Sequence, residues 1–169
     1  MALSFTRSGF ATTTPMLPDW IELCGSFNAH GVEYLLVGGQ AVIAHGYPRL
    51  TKDLDLWVRP TKANGGRILE ALEAYGSAPA GFAPERFEDP RTLVMLGRKP
   101  FRIDLLTDLP GVEFSDAWVR RTSVTLDAVT IPLIARADLI ANKKSVARLQ
   151  DLADVEALEA LDEVTPPKG

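Results

Sequence analysis

Hydrophobic positions recur along the chain with two different periods, and these periods predict alternating helices and strands. Apolar residues lie at helical spacing over 18–28 and 62–75, whereas short apolar runs of strand length cover 32–37 and 54–58. Between the two strands, Gln40 to His45 supply one or two helical turns. This opening favours a mixed sheet backed by helices, which is an α/β (α+β) fold.

The next part of the chain predicts two hairpins with a short helix between them. The first hairpin joins 92–96 to 101–106, and the second joins 123–126 to 129–133. The helix covers 114–120. More strands are therefore available to the same sheet.

Two further segments differ in their patterns. The segment 76–90 is rich in glycine and proline and has no clear period, so we expect a long loop. The segment 137–161 is helical and breaks near 145–148. Its apolar stripe, which we expect to face the body of the protein, consists of Leu149, Leu152, Val155, Leu158 and Leu161.

The length of 169 residues suits one core and not two full domains. We expect a tail over 1–16, a core over 17–135, a C-terminal helical segment over 136–162 packed on it, and a tail over 163–169. No apolar run approaches the roughly 18 residues of a membrane helix, and the first residues lack the apolar stretch of a secretory signal. We therefore expect no membrane association.

The cysteine content and the net charge exclude some kinds of site and argue against some kinds of partner. Cys24 is the only cysteine, which excludes an internal disulfide and a cysteine-only zinc site and favours a cytoplasmic location. It lies at helical spacing with Trp20 and Phe27, as a core thiol does. The net charge of −4 argues against nucleic-acid binding by bulk charge alone.

The candidate chemistry begins with two carboxylates, Asp53 and Asp55. Residues two apart on a strand point to the same face, so both carboxylates lie on one side. Such a pair repels itself unless a cation lies between, and hard oxygen ligands suit Mg²⁺ or Mn²⁺. On this spacing alone, however, the hydrated face of a half-exposed strand explains the pair more often than a metal site does.

A glycine turn and a third aspartate make a metal site the favoured explanation of the Asp53–Asp55 pair. Gly38 and Gly39 end the first strand and offer bare backbone N–H groups to phosphates. Asp104 alternates with apolar residues in the strand 101–106, so it joins Asp53 and Asp55 if the two strands are neighbours. Three carboxylates can hold two metal ions for an in-line displacement at phosphorus. The combination predicts a nucleoside triphosphate site.

These motifs also carry a resemblance. A Gly-Gly turn, thirteen intervening residues, Asp53-Leu54-Asp55 and a later strand aspartate resemble the nucleotidyltransferase superfamily that includes DNA polymerase beta. The segments around His45-Gly46, 103–106 and 138–154 resemble small bacterial nucleotidyltransferase-like proteins related to AbiEii-type toxins. The resemblance implies a mixed sheet of nucleotidyltransferase type with C-terminal helices.

The resemblance also implies roles for individual residues. Asp53, Asp55 and Asp104 are then catalytic and bind Mg²⁺ or Mn²⁺. The second glycine is followed by Gln40 where many members have serine, so phosphate contact by this side chain is the weakest part of the match. The nucleotide-binding residues that the resemblance implies are Gly38, Gly39, Gln40 and Lys143 or its neighbour Lys144. Arg49 and Lys52 are added because a triphosphate needs positive charge around it, although a loop with two basic residues is equally typical of a hydrated surface.

The implied activity is the metal-dependent transfer of a nucleoside monophosphate from a triphosphate such as ATP to a hydroxyl, with release of pyrophosphate. The acceptor is a tRNA end, a protein or a small molecule, and the AbiEii likeness implies a toxin–antitoxin partner. The alternative is a non-catalytic module that serves as an antitoxin, a regulatory subunit or a nucleotide sensor. The three acids favour the enzyme, because a scaffold has no need to place like charges together.

Overall fold

The structure is a computed structural model that describes residues 13–98 and 100–164, with side chains as far as 161. A 3₁₀ helix covers Pro84–Glu88. The helices are α1 (Pro18–Ala29), α2 (Gly38–Ala44), α3 (Lys62–Tyr75), α4 (Phe114–Arg120), α5 (Arg136–Val146) and α6 (Leu149–Val164). The strands are β1 (Tyr34–Val37), β2 (Asp53–Val58), β3 (Leu93–Arg98), β4 (Phe101–Leu106), β5 (Thr122–Leu126) and β6 (Val129–Leu133).

The six strands form one mixed sheet in the order β3-β4-β2-β1-β6-β5. Strands β1 and β2 are antiparallel, whereas β2 pairs in parallel with β4 and β1 pairs in parallel with β6. Both predicted hairpins are present, as β3–β4 and β5–β6. The predicted α/β fold with a mixed sheet is confirmed.

The two faces of the sheet differ in what they contain. Leu54 and Leu56 of β2 point into the hydrophobic core, together with Ile103 and Leu105 of β4, and all four are buried. Helices α1 and α3 supply core residues, including the predicted core thiol. Burial raises the pKa of Cys24 to about 12, so it is an inert core group at neutral pH. The opposite face carries the predicted acids.

Helix α3 and the following segment show how local sequence sets the element boundaries. The Thr61 side chain accepts a hydrogen bond from the Asn64 N–H at the start of the helix. Gly76 ends the helix in the left-handed conformation, with φ 85°. The predicted loop 76–90 is wrong in part, because it contains the 3₁₀ helix, which is anchored by the buried Phe87.

The C-terminal helices break where the sequence predicted, at Ala147, which has φ 56°. The predicted stripe of α6 is wrong at its first turn, because Leu149 is 89% exposed and Leu152 is 47% exposed. Asp151 and Asp154 are buried there instead, since this part of the helix faces charged groups rather than the core. Among the helices of the described chain, none has the length and apolarity required to span a bilayer.

Candidate active site

A cleft of about 560 Å³ opens where the ends of β1, β2 and β4 meet the corner between α5 and α6. Its lining combines backbone glycines, carboxylates and basic side chains. The charged residues that line it are Arg49, Asp53, Asp55, Arg102, Asp104, Asp108, Lys143, Arg148 and Asp151.

The three predicted aspartates lie in this cleft on one face of the sheet. Asp55 is the register partner of Asp104 in β4 and of Val37 in β1. Asp53 is the register partner of Arg102. Because neighbouring strands are about 4.8 Å apart, the carboxylates of Asp55 and Asp104 are side by side. The parallel pairing of β2 with β4 thus provides the strand adjacency on which the predicted convergence depended.

The glycine turn lies directly against these acids. Gly38 has φ 66°, and a Cβ added to it would be 2.2 Å from Oδ2 of Asp55. A Cβ on Gly39 would be 2.8 Å from Oγ1 of Thr51. Both positions therefore require glycine, and the absence of side chains leaves backbone exposed beside a carboxylate.

The three aspartates lie close together in a site that is partly shielded from water, and they repel one another there. Burial is the largest cause that raises the pKa of Asp55 to about 7, and the charges of Asp104 and Asp53 raise it further. Lys143 and Arg148 act in the opposite direction without cancelling the effect. Burial also raises the pKa of Asp104, although Arg102 partly opposes it.

Arg102 is a functional candidate to which the sequence analysis gave no role. Its Nε atom is 3.5 Å from Oδ1 of Asp53, and its Nη2 atom is 3.5 Å from Oδ2 of Asp104. The second oxygen of Asp104, Oδ1, is buried and has no hydrogen-bond partner among the described residues. The strand alternation that places Arg102 on the face of Asp104 was the signal in the sequence.

A second group of charges forms the opposite wall. Lys143 is buried, and its Nζ atom is 3.2 Å from Asp151 and 2.8 Å from Asp154. Arg49 also pairs with Asp154, whose side chain is completely buried. These ion pairs join the loop before β2 to both C-terminal helices. Two predicted phosphate ligands, Arg49 and Lys143, therefore already have carboxylate partners.

Arg148 and Gln150 complete this wall. The Nε atom of Arg148 donates to Oδ2 of Asp151 at 2.7 Å, and the Gln150 amide donates to Asp154 at 3.0 Å. Burial alone would raise the pKa of Asp151, but the hydrogen bonds and charges of Arg148 and Lys143 outweigh it and hold the pKa below its usual value. The C-terminal motif in the sequence contained these residues, but their mutual pairing depends on tertiary structure.

Two predicted nucleotide-binding residues lie elsewhere. The buried Gln40 side chain donates to the backbone oxygen of Thr14 at 3.2 Å and is not part of the cleft lining. Lys52 is exposed and also lies outside the lining. Gly38, Gly39, Arg49 and Lys143 all line the cleft.

The donor chemistry of the acids fits a hard divalent cation. In the part of the chain that the structure describes, no three His, Cys, Asp or Glu side chains form a preassembled metal cage. Even so, the buried Oδ1 atom of Asp104 has no hydrogen-bond partner among the described residues, and the charges of Asp104 and Asp53 raise the pKa of Asp55 beyond the effect of burial. Carboxylate oxygens are the preferred ligands of Mg²⁺ and are also suited to Mn²⁺.

Comparison with solved structures identifies similar folds. The lincosamide antibiotic adenylyltransferase LnuA, in its lincomycin-bound crystal structure, is 16% identical with a TM-score of 0.56, over 88% of this chain and 98% of that one. An antigenic nucleotidyltransferase-like protein from Paracoccidioides brasiliensis is 15% identical with a TM-score of 0.53, over 88% and 79% of the two chains.

The solution structure of the antibiotic-resistance factor ANT(2'')-Ia is 11% identical with a TM-score of 0.55, over 81% of this chain and 78% of that one. No family model and no curated protein sequence matches the chain. At these identities the likeness concerns the fold and does not extend to the substrates of the similar proteins. The six-stranded mixed sheet, with its helices, is a nucleotidyltransferase fold.

Proposed function

We propose that this protein transfers a nucleoside monophosphate from a nucleoside triphosphate to an acceptor hydroxyl and releases pyrophosphate. The observation that supports it best is the placement of Asp53, Asp55 and Asp104 on one sheet face beside the bare Gly38 turn. Each part of this unit meets a different need of phosphoryl chemistry. The glycine backbone is open to phosphate oxygens, and the acids provide cation ligands and a proton acceptor.

The reaction is a displacement at the α-phosphorus. The acceptor oxygen forms a bond to this phosphorus, while the bond to the oxygen that bridges to the β-phosphorus breaks and its electron pair leaves with pyrophosphate. The hydroxyl proton passes to a carboxylate oxygen of Asp104. Asp53, Asp55 and Asp104 would hold a divalent cation, which would supply positive charge against the phosphate oxygens.

Arg148 is a further candidate phosphate ligand. It lines the cleft and its side chain is 76% exposed, so it can reach an incoming anion while its Nε atom stays bonded to Asp151. Its charge also acts on the pKa of Asp55. A guanidinium in this position is suited to phosphate oxygens, which it can contact bidentately.

The test is transfer of label from each α-labelled nucleoside triphosphate, with Mg²⁺, to components of a cell extract. ATP is tested first, because LnuA, whose fold is similar, is an adenylyltransferase. We expect wild type to label at least one component and Asp53→Ala with Asp55→Ala to lose at least about 10³-fold in rate, since removal of charge-stabilising groups typically has effects of this size.

The matched control is Asp19→Ala with Glu22→Ala, which removes two exposed acids from α1. This variant should label as wild type does. Equal labelling by the Asp53/Asp55 variant would remove these acids from the chemistry. Nucleotide binding with no transfer by wild type would instead favour the non-catalytic module. A toxin–antitoxin partner and a cytoplasmic location remain predictions from the sequence.

A further inference from the structure

The features of the cleft follow a fixed order across the sheet. The glycine turn ends β1, Asp55 lies in β2, Asp104 lies in β4, and Met95 lies in the edge strand β3. Register places Asp55 opposite Asp104, and Asp104 opposite Met95. Directly opposed residues of neighbouring strands point to the same face, so Met95 shares the face of the acids.

This order determines where an acceptor approaches. In an in-line displacement the attacking oxygen and the leaving oxygen lie on opposite sides of the phosphorus. If the glycine turn binds the departing pyrophosphate at β1, the acceptor arrives from the opposite side, over β4 and β3. The nucleoside is bonded to a third oxygen of the α-phosphorus and does not occupy that direction.

On that side, the described residues leave an apolar surface exposed. Met95 is 60% exposed and Leu93 is 50% exposed, and Leu93 is the register partner of Leu106, which lines the cleft. We name Leu93, Met95 and Leu106 the acceptor shelf. Exposed apolar side chains on an edge strand carry an aggregation risk, and a cluster of them beside an active cleft is characteristic of a binding site.

The size and charge of the surroundings select the kind of acceptor. A stable protein interface takes about 800 Å² and some 20–30 residues from each partner, which three side chains do not approach. Asp108 is one of five carboxylates that line the cleft, against four basic side chains, so the cleft has no excess of positive charge to attract a polyanion. A small molecule with an apolar portion next to its hydroxyl fits both conditions.

We propose that the acceptor is a small hydroxyl compound whose apolar portion rests on the acceptor shelf while its hydroxyl meets Asp104. This inference rests on the proposed transfer reaction and specifies its second substrate. The shelf contributes contact area and orientation, and the acids contribute the chemistry. Polar substitution of the shelf should therefore weaken acceptor binding and leave nucleotide binding unchanged.

The experiment separates a cell extract into macromolecules and a small-molecule filtrate, and divides the filtrate by reversed-phase retention. Each fraction is incubated with wild type, Mg²⁺ and α-labelled nucleoside triphosphate. Label is expected on a compound from the retained, apolar fraction. Once isolated, that compound is used to measure KM for acceptor and for nucleotide separately.

The main variant is Leu93→Gln with Met95→Gln, which changes polarity without changing charge near Asp104. We expect its acceptor KM to rise about tenfold or more while its nucleotide KM stays within about twofold, since removal of apolar pocket contacts has effects of this size. Met95→Leu should retain acceptor binding. The control is Val119→Gln, a substitution at an 81% exposed apolar residue of α4 away from the cleft.

The remaining outcomes overturn the inference in distinguishable ways. Label on RNA, on protein or on a compound of the unretained fraction, or an unchanged acceptor KM in the double glutamine variant, rejects the shelf and leaves the transfer reaction in place. A wild-type dimer that this variant converts to a monomer assigns the shelf to a second copy. Absence of transfer to any fraction overturns the proposed function, and the inference with it.

Discussion

Two groups of carboxylates line the same cleft and differ in how their charges are compensated. The acid-rich group consists of Asp53, Asp55 and Asp104, of which Asp53 and Asp104 share the guanidinium of Arg102 at 3.5 Å contacts. The paired group consists of Asp151 and Asp154, which bind Lys143, Arg49 and Arg148. The more deeply buried group is the better compensated one.

This difference in charge compensation is reflected in the pKa values of the two groups. Burial by itself raises the pKa of a carboxyl, and Asp55, at about 7, follows that rule. Asp151 is also buried, yet its pKa lies below the usual value because Arg148 and Lys143 bind its charged form. Partner charges, rather than depth, therefore distinguish the acids that are held in ion pairs from those whose charge is less compensated.

The largest effect on stability should come from the paired group. Asp154→Asn leaves Lys143 and Arg49 without the carboxylate between them, and removal of one partner of a buried pair typically costs about 3–5 kcal/mol. We expect a loss of this size in the free energy of unfolding, measured by urea denaturation at neutral pH. This is a large part of the stability of a typical domain.

The control for that variant is Glu159→Gln, which breaks the exposed pair between Lys144 and Glu159. Exposed pairs contribute about 0–1 kcal/mol, so this variant should remain close to wild type. Equal losses from Asp154→Asn and Glu159→Gln would show that the paired group does not stabilise the fold.

The next effect is a pH dependence of opposite sign in the two groups. The pKa of Asp55 in the folded state is about 7, above its ordinary value of 3.8. Its contribution to the free energy of unfolding is therefore full below pH 3.8 and is lost as the pH rises to about 7. At about 1.4 kcal/mol per pKa unit, the loss amounts to a few kcal/mol at most. With a metal chelator present, the free energy of unfolding of Asp55→Asn should fall less between pH 4 and 7 than that of wild type. This pH range is set by the ordinary and the folded-state pKa values of Asp55.

Asp151 should behave in the opposite way. Its lowered pKa makes its contribution present above the usual value and lost as pH falls through the folded value. Asp151→Asn should therefore remove part of the acid-induced loss of stability and leave the change between pH 4 and 7 intact. If the free energies of unfolding of Asp55→Asn and Asp151→Asn depended on pH in the same way, the division into two groups would be contradicted.

Added Mg²⁺ should produce a smaller effect, confined to the acid-rich group. A ligand at about 100 times its Kd stabilises the folded state by about 2.7 kcal/mol. We expect Mg²⁺ to raise the Tm of wild type at pH 8, where Asp55 is charged, and not that of Asp53→Asn with Asp55→Asn. Asp19→Asn with Glu22→Asn on α1 is the control and should respond as wild type does.

The same contrast explains what the sequence could predict. Strand alternation placed Asp53 and Asp55 on one face, and the helical period located α3 over 62–75. These features depend on local backbone geometry, which a sequence contains directly. The acid-rich group was predictable because its members share short strands beside a recognisable turn.

The pairing of Asp154 within the paired group was not predictable, because it depends on contacts between distant segments. Asp154 lies 105 residues from Arg49, and no local period indicates that they meet. For the same reason the apolar spacing of α6 misassigned Leu149 and Leu152, since the turn that faces the protein there meets Lys143 rather than the core. Gln40 follows the glycines in sequence, but its side chain points to Thr14.

The smallest effect should come from Arg102, and it tests whether this residue belongs to the acid-rich group as a substitute cation. Its side chain is 32% exposed and both contacts are 3.5 Å long, so Arg102→Gln should change the unfolding free energy by about 1 kcal/mol or less when a metal chelator is present.

The Arg102→Gln substitution also removes a positive charge that lowers the pKa of Asp104. Mg²⁺ should then bind several-fold more tightly than to wild type, as measured by titration calorimetry, because a competing charge that contacts Asp53 and Asp104 is gone. Arg67→Gln on α3 is the control and should change neither quantity. A destabilisation as large as that of Asp154→Asn would place Arg102 among the structural ion pairs, because a cation that only shares the acids with a metal is not needed to hold the fold.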